Sequence, residues 1–406
     1  MEEDGAGFVI VLCWGRELER SSPHPRPMET LQKTARYAVV RRTDGGRVHR
    51  SLKNEAWLDP RIEPVTVNDD EVAFPLTEAA DEEHLLQRLG VPVRLLVQPA
   101  VVRDPIDPHG KLKKAAMDWL SAHGFRPHHL ADVLPTKWER LGELVLLPTT
   151  LSSDAAWTEV RSHPNIRALW EAMASALQVS ALGIQHPIAD DTFRSSQVEM
   201  LLGSPAVRFL DHGITYAFDA SKVMFSSGNV TERRRIGTLN MEGETVVDAY
   251  AGVGYYTLPM LVHGGAARVH ACEINPASVA GLKQAAELNG VTDRLTVHEG
   301  DNALSLPTLQ GMADRCHLGL LPSSEPAWAA CMAALKPTGG VLHVHMNVEE
   351  EHIDAWKART VERFQQLAQT QGRHAAVSAE HLEKVKWFAP RVRHVVLDVR
   401  VRPLPP

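Results

Sequence analysis

The residues best placed to do chemistry lie in the run Val246-Val247-Asp248-Ala249-Tyr250-Ala251-Gly252-Val253-Gly254. A short apolar stretch reads as a strand that delivers Asp248 to its C-terminal end. Glycines at 252 and 254 then let the backbone approach a ligand closely. A dinucleotide fingerprint asks for a third glycine, but the position that would hold it is Thr257. A carboxylate just ahead of a pyrophosphate is also unfavourable, whereas a ligand with an ammonium group, such as the methionine moiety of S-adenosylmethionine, suits Asp248. Two glycines alone also serve close strand–helix packing, so their weight depends on the acids downstream. Glu273 ends the next apolar run, where an acid accepts hydrogen bonds from both ribose hydroxyls. Glu299-Gly300-Asp301-Asn302 ends the third. There Asp301 can accept from an adenine amino group while the backbone of Asn302 meets the ring edge. Acids at the ends of three successive strands form a strong constellation, because ligands of such sheets lie outside the strand C-termini.

Upstream lies Met224-Phe225-Ser226-Ser227-Gly228-Asn229-Val230-Thr231-Glu232-Arg233-Arg234-Arg235. It reads either as a capped helix with a solvated basic run or as an anion site. In the second reading the Ser226 hydroxyl, free helix N–H groups and an exposed Arg233 face a carboxylate. His343 and His345 share one face of a strand, but no third ligand stands near them, so no metal site is expected. Among twenty histidines none has the company of a general base, and the catalytic side chain stays unassigned. Basic clusters occur at Lys111/Lys113/Lys114, at Arg233–Arg235 and at Lys384/Lys386/Arg391/Arg393. Such clusters are often solvated faces, but a local patch can bind phosphate whatever the total charge.

The elements that must position these residues are read from periodicity. From about Val230 onward strands and helices alternate, with strands expected at Thr245–Ala249, Arg268–Cys272, Leu295–His298, Arg315–Leu320, Val341–Val348 and Val395–Val401. Asn275-Pro276 opens a helix that closes at Asn289-Gly290, and Ile353–Ala368 carries helical spacing. This is a doubly wound α/β pattern with a mostly parallel sheet, expected over 218–406. A middle α+β segment, 106–217, holds a helix near Ala115–His123, a strand at Glu143–Leu147 and a helix near Asn165–Leu177. Further strands are expected at Gln197–Leu202 and Ile214–Phe218, with a turn at Asp211-His212-Gly213. Residues 1–105 read as a small α+β module: a buried first strand at Phe8–Trp14, a loop at Ser21–Pro27 and a linker across Val101–Lys114.

The 406 residues are 44% hydrophobic and 23% charged, as in an ordinary globular chain. No apolar run approaches the roughly 20 residues of a membrane span, and no basic segment precedes Phe8–Trp14 as in a secretory signal. Cys13, Cys272, Cys316 and Cys331 are scattered without a C-x-x-C pair, which argues against a disulfide framework or structural zinc and for the cytoplasm. The net charge is −7, an excess carried mostly by the N-terminal part.

Taken together, M-F-S-S-G-N-V-T-E (224–232), V-D-A-Y-A-G-V-G-Y-Y-T-L-P (247–259) and H-A-C-E-I-N-P (270–276) resemble one family. It is the eukaryotic tRNA wybutosine-synthesising protein 2 family. The resemblance continues through G-D-N (300–302), L-G-L-L-P-S-S (318–324), H-V-H-M-N-V (343–348) and V-K-W-F-A-P-R-V-R-H-V-V-L-D (385–398). It is dense over about 197–406 and thinner over 112–196, where W-E-R-L-G-E-L-V-L-L (138–147) still fits. The first hundred residues match loosely. The resemblance implies a Rossmann-like class I methyltransferase domain behind smaller α+β domains, with S-adenosylmethionine as co-substrate and no metal. Its cofactor site would be Ser226, Arg233, Asp248, Gly252, Gly254, Glu273, Asp301 and Asn302. The partner implied is the anticodon region of tRNA(Phe), met by the middle domain and by Lys384, Lys386, Arg391 and Arg393, with no obligate protein partner. The activity implied is transfer of a 3-amino-3-carboxypropyl group to 4-demethylwyosine, releasing methylthioadenosine. The sister family, the tRNA guanine N1-methyltransferases, is the alternative. Methyltransferases of planar nitrogens often carry N-P-P-Y or D-P-P-Y after the fourth strand, and Leu320-Leu321-Pro322-Ser323-Ser324 stands there instead. Arg233 occupies a position where the resembling family usually has lysine. A non-enzymatic scaffold for other tRNA enzymes is a third possibility.

Overall fold

The computed structural model describes residues 34–405 apart from 69, 103–106, 127–129, 131 and 190. The strand expected at Phe8–Trp14, the loop at Ser21–Pro27 and Cys13 lie outside these residues. The chain divides into two compact units, Met1–Ile106 and Asp107–Pro406.

In the first unit, strands β1 (Thr34–Arg41), β2 (Val65–Thr66), β3 (Glu71–Pro75) and β4 (Arg94–Pro99) form an antiparallel sheet of order β2-β3-β1-β4. Alternation along β1 puts Ala38 and Val40 on one face with Val48, Leu52 and Leu85 from the helices Gly45–Asn54 and Glu82–Leu89, and Tyr37 and Val39 on the other.

The second unit opens with the helix Pro108–Ala122, which overwrites the last part of the expected linker. Asp107 caps it by accepting from the Gly110 amide at 2.9 Å, and Pro108 sits in the first turn where no amide is needed. Strands β5 (Glu139–Leu141), β6 (Leu144–Pro148), β7 (Ala181–His186) and β8 (Gln197–Leu202) form a sheet of order β5-β6-β7-β8. Their core holds Trp119, Leu147, Trp157, Trp170 and Ile184. The hairpin of β9 (Ala206–Asp211) and β10 (Ile214–Asp219) turns at His212-Gly213, both at positive φ.

A seven-stranded sheet comes next, of order β13-β12-β11-β14-β15-β17-β16. Its strands are β11 (Thr245–Asp248), β12 (Arg268–Glu273), β13 (Leu295–Glu299), β14 (Arg315–Leu318), β15 (Gly340–Glu349), β16 (Ala375–Ala389) and β17 (Val392–Pro403). The first five run parallel, and β17 is antiparallel to both β15 and β16. Val246 packs with Ile236, Leu258 and Leu282, while its neighbour Val247 packs with Trp328 and Phe364. Helices therefore cover both faces, as the alternating pattern requires. The strand order reverses between β11 and β14, which opens a crevice at their C-terminal ends. This is a Rossmann-like, doubly wound α/β arrangement with a mostly parallel sheet.

Candidate active site

A cavity of about 350 Å³ lies at that crevice. Ser226, Gly252, Glu273, Asp301 and Asn302 all line it. β12 ends on Glu273, whose carboxylate accepts from the Gly252 amide and the Asn275 amide, each at 2.7 Å. Burial pushes its carboxyl above the usual range, with those backbone donors opposing the shift. Gly252 adopts φ 56°, and a Cβ there would lie 2.3 Å from the Tyr255 ring, so only glycine lets this loop fold over the acid. Asp301 caps the short helix Asn302–Ser305 by accepting from the Ala303 amide at 2.9 Å. Asn302 donates to the Ala249 carbonyl at 2.8 Å and ties the third strand end to the first.

Three expected ligand contacts are placed differently. Asp248 is fully buried and stands beneath the cavity. It accepts from Thr257 Oγ1 at 2.7 Å and from the Tyr250 amide at 3.3 Å, and so fixes both ends of the glycine loop. Gly254, at φ 93°, is a packing glycine: a Cβ would meet Leu258 and Leu282 at 2.8 Å. Arg233, expected on the surface, is only 4% exposed and lines a separate cavity beside Asp211. Helical periodicity turns it inward, where Asp211 takes Nε at 3.1 Å and Nη2 at 2.7 Å and the Ser226 carbonyl takes Nη1 at 2.7 Å. Its guanidinium also lies 4.9 Å from the Phe225 ring centre. The basic run is therefore no solvated face at this position. Arg235 bridges Glu232 and Asp398 instead, leaving only Arg234 of the three exposed.

The cation beside Ser226 is Lys386, with Nζ 3.5 Å from Ser226 Oγ. Burial lowers the Lys386 pKa, with nearby Glu139 opposing. Glu139 is itself shifted upward by burial, against hydrogen bonds from Ser227. The other three cations expected to meet RNA lie along the β16–β17 hairpin. Lys384 and Arg393 converge on Glu350 at 2.7 and 2.8 Å, and Arg391 sits in the turn.

Several lining residues carried no sequence signal as ligand contacts. The segment Thr192–Arg194 borders the cavity from the middle of the chain, held by Arg194 Nη1 donating to the Leu321 carbonyl at 2.6 Å. Asn229, Tyr250, Tyr255 and Tyr256 complete the wall. Leu320 and Leu321 line the cavity just ahead of Pro322-Ser323, the pair that stands where N-P-P-Y would place Pro-Tyr. Glu273, Asp301 and Asn302 present acceptors along a mostly apolar slot, an acceptor set that fits the ribose hydroxyls and adenine of S-adenosylmethionine.

Behind the site runs a buried polar chain. His343 Nε2 faces Arg315 Nη1 at 2.9 Å and must accept, so the proton sits on Nδ1, which donates to Asp398 at 2.5 Å. His345 joins His394 at 3.0 Å and His317 at 3.1 Å. Burial holds His343 and His394 down to about 4 and His345 well below its usual value. His343 and His345 thus serve this network. Among the described residues, Glu349, Glu351 and His352 are close enough to share an ion, and all three are exposed. No helix of the described residues is long and apolar enough to cross a membrane.

Two family models match the chain: the TYW2 N-terminal domain over 120–206 and the TRM5/TYW2 methyltransferase domain over 208–377. The tRNA wybutosine-synthesizing protein 2 homolog of Danio rerio is 40% identical over 329 residues, covering 73% of this chain and 79% of that protein. The Arabidopsis thaliana tRNA wybutosine-synthesizing protein 2/3/4 is 42% identical over 277 residues, covering 68% of this chain; the match spans only 27% of the plant protein. The solved structure of Pyrococcus horikoshii TYW2 in complex with MeSAdo superposes with TM-score 0.58 at 30% identity, over 71% of this chain and 99% of that one. With the acid-lined crevice at the strand switch and both domain models in register with it, the chain belongs to the tRNA wybutosine-synthesizing protein 2 family.

Proposed function

We propose that the chain transfers the 3-amino-3-carboxypropyl group of S-adenosylmethionine to 4-demethylwyosine beside the anticodon of tRNA(Phe). The observation that carries this reading is the cavity wall: acids at successive strand ends on one side, Ser226 with Lys386 behind it on another, and the run Leu320-Leu321-Pro322-Ser323-Ser324 after the fourth strand, which lines the cavity with leucines and offers no aromatic clamp for methyl transfer. Bound S-adenosylmethionine supplies a sulfonium carbon that a nucleophile can attack in line with the departing sulfur. Glu273 binds the ribose hydroxyls, while Asp301 and Asn302 address the adenine. Ser226, with Lys386 beside it, holds the amino-acid carboxylate. Arg233 acts at one remove, fixing Ser226 through its carbonyl, and Asp248 fixes the glycine loop. Orientation is the whole of the selectivity: presenting the methionine chain instead of the methyl to the base decides which carbon is taken. The new bond joins that carbon to the substrate ring, the sulfur leaves with the bonding electrons as methylthioadenosine, and a ring proton is lost.

The resemblance to the domain shared with TRM5 keeps guanine N1-methylation as the competing outcome. Incubating the protein with tRNA and S-adenosylmethionine radiolabelled in the carboxyl carbon separates the two. Label entering the RNA supports the proposal; label left wholly in the small-molecule fraction while RNA gains a methyl overturns it.

A further inference from the structure

We propose that the tip of the β16–β17 hairpin is a stacking platform for an unpaired nucleotide of the RNA substrate, with Trp387 and Phe388 as its rings. This rests on the reading of an RNA substrate given above. Trp387 and Phe388 are adjacent, yet both are large and exposed, at 53% and 60%. A regular strand sends neighbouring side chains to opposite faces, so one of such a pair is ordinarily covered. Here the ladder slips between Lys384 and Lys386 and again between Trp387 and Ala389, which leaves Phe388 as an extra residue without a cross-strand partner. Bulges of this kind re-aim side chains at the end of a strand.

The surroundings favour nucleic acid over an apolar protein partner. Arg393 lies over the Trp387 ring at 3.5 Å, and Glu350 fixes its guanidinium. A planar cation on an indole extends naturally to a base stacked in series. Arg391 occupies the turn at φ 65° and makes no ion pair among the described residues. The tip also points the right way. β16 runs parallel to β15, so its end lies at the same edge of the sheet as the cavity. Lys386, one residue before Trp387, reaches the cavity-lining Ser226. A nucleotide flanking the one in the cavity would meet these rings.

The test is binding of a fluorescent tRNA(Phe) transcript to wild type, Trp387→Ala, Phe388→Ala and Trp387→Phe across a salt series. Melting temperature and S-adenosylhomocysteine affinity are followed in parallel. Loss of a stacked base weakens binding between about 5-fold and about 150-fold. The alanine variants should show that loss with an unchanged salt slope, melting temperature and S-adenosylhomocysteine affinity, and Trp387→Phe should recover most of it. Wild-type affinity in both alanine variants overturns the platform and leaves the functional reading intact. A loss accompanied by a shallower salt slope and no rescue by phenylalanine assigns the effect to a phosphate contact through Arg393 and also overturns it. Failure of the wild type to bind the transcript removes the RNA reading, and the platform with it.

Discussion

Replacing Arg233 by alanine should damage folding and cofactor binding together. The side chain is 4% exposed and gives two hydrogen bonds to Asp211, at 3.1 and 2.7 Å, and one to the Ser226 carbonyl at 2.7 Å. Breaking a buried ion pair by removing one partner costs about 3–5 kcal/mol. The Asp211 side chain retains 23% of its exposure and can recover some hydration, which brings the cost to the lower end. The carbonyl of Ser226, left without its donor, adds about 1 kcal/mol. A total near 4 kcal/mol, at about 2–4 °C per kcal/mol for a unit of this order, lowers the melting temperature by roughly 8–16 °C. Arg233→Lys keeps the charge, but one ammonium nitrogen cannot replace the three guanidinium nitrogens that reach Asp211 Oδ2 and the Ser226 carbonyl, so it should fall between. Thermal denaturation followed by calorimetric titration of S-adenosylmethionine measures both effects. An alanine variant with wild-type melting temperature and affinity would refute the buried-clamp account.

The same contacts support other predictions. Glu273→Ala should weaken S-adenosylmethionine binding by about 1.5–3 kcal/mol, since it removes the ribose acceptor and leaves the Gly252 and Asn275 amides unpaired. Unchanged calorimetric affinity in both Glu273→Ala and Asp301→Ala would sink the cofactor assignment. Stability should fall with acid: His343 and His394 stay neutral in the fold down to about 4, so below about pH 6.5 the unfolded chain binds protons that the native state refuses. The stabilisation is complete above about pH 6.5 and drains away toward about pH 4. A urea midpoint that stays flat between about pH 7 and about pH 5 contradicts the neutral network. RNA binding should weaken with salt, and Arg391→Ala should reduce the slope by about one unit, more than Lys384→Ala, whose charge Glu350 already offsets. Equal slopes in wild type and Arg391→Ala would place that residue off the RNA.

Much of the fold and site is legible in the residues, and the failures share a cause. The Asn275-Pro276 helix start stands as expected, with Asn275 Oδ1 accepting from the Ala277 amide at 2.9 Å, because capping is chemistry between near neighbours in sequence. Glu273 and Asp301 reach the cavity because strand ends in such a sheet share one edge. Arg233 escapes the expectation because a run of three arginines does not say which one faces inward, and its partner Asp211 is a distant residue on β9. β7 and β16 carry too little pattern to be read as strands. The segment Ala181–His186 holds Gly183 amid a short apolar run, and Ala375–Ala389 alternates poorly because its bulges break the period. Thr192–Arg194 shows nothing in sequence, since a loop held by one arginine on a distant backbone carbonyl, Leu321, carries no periodic pattern.

The central claim is the identity of the carbon transferred, and the most direct measurement is mass spectrometry of both products after one incubation with S-adenosylmethionine and tRNA(Phe) bearing 4-demethylwyosine. The account predicts methylthioadenosine in solution and an RNA nucleoside heavier by one aminocarboxypropyl group, in equal amounts. S-adenosylhomocysteine in solution with a methylated nucleoside would contradict it.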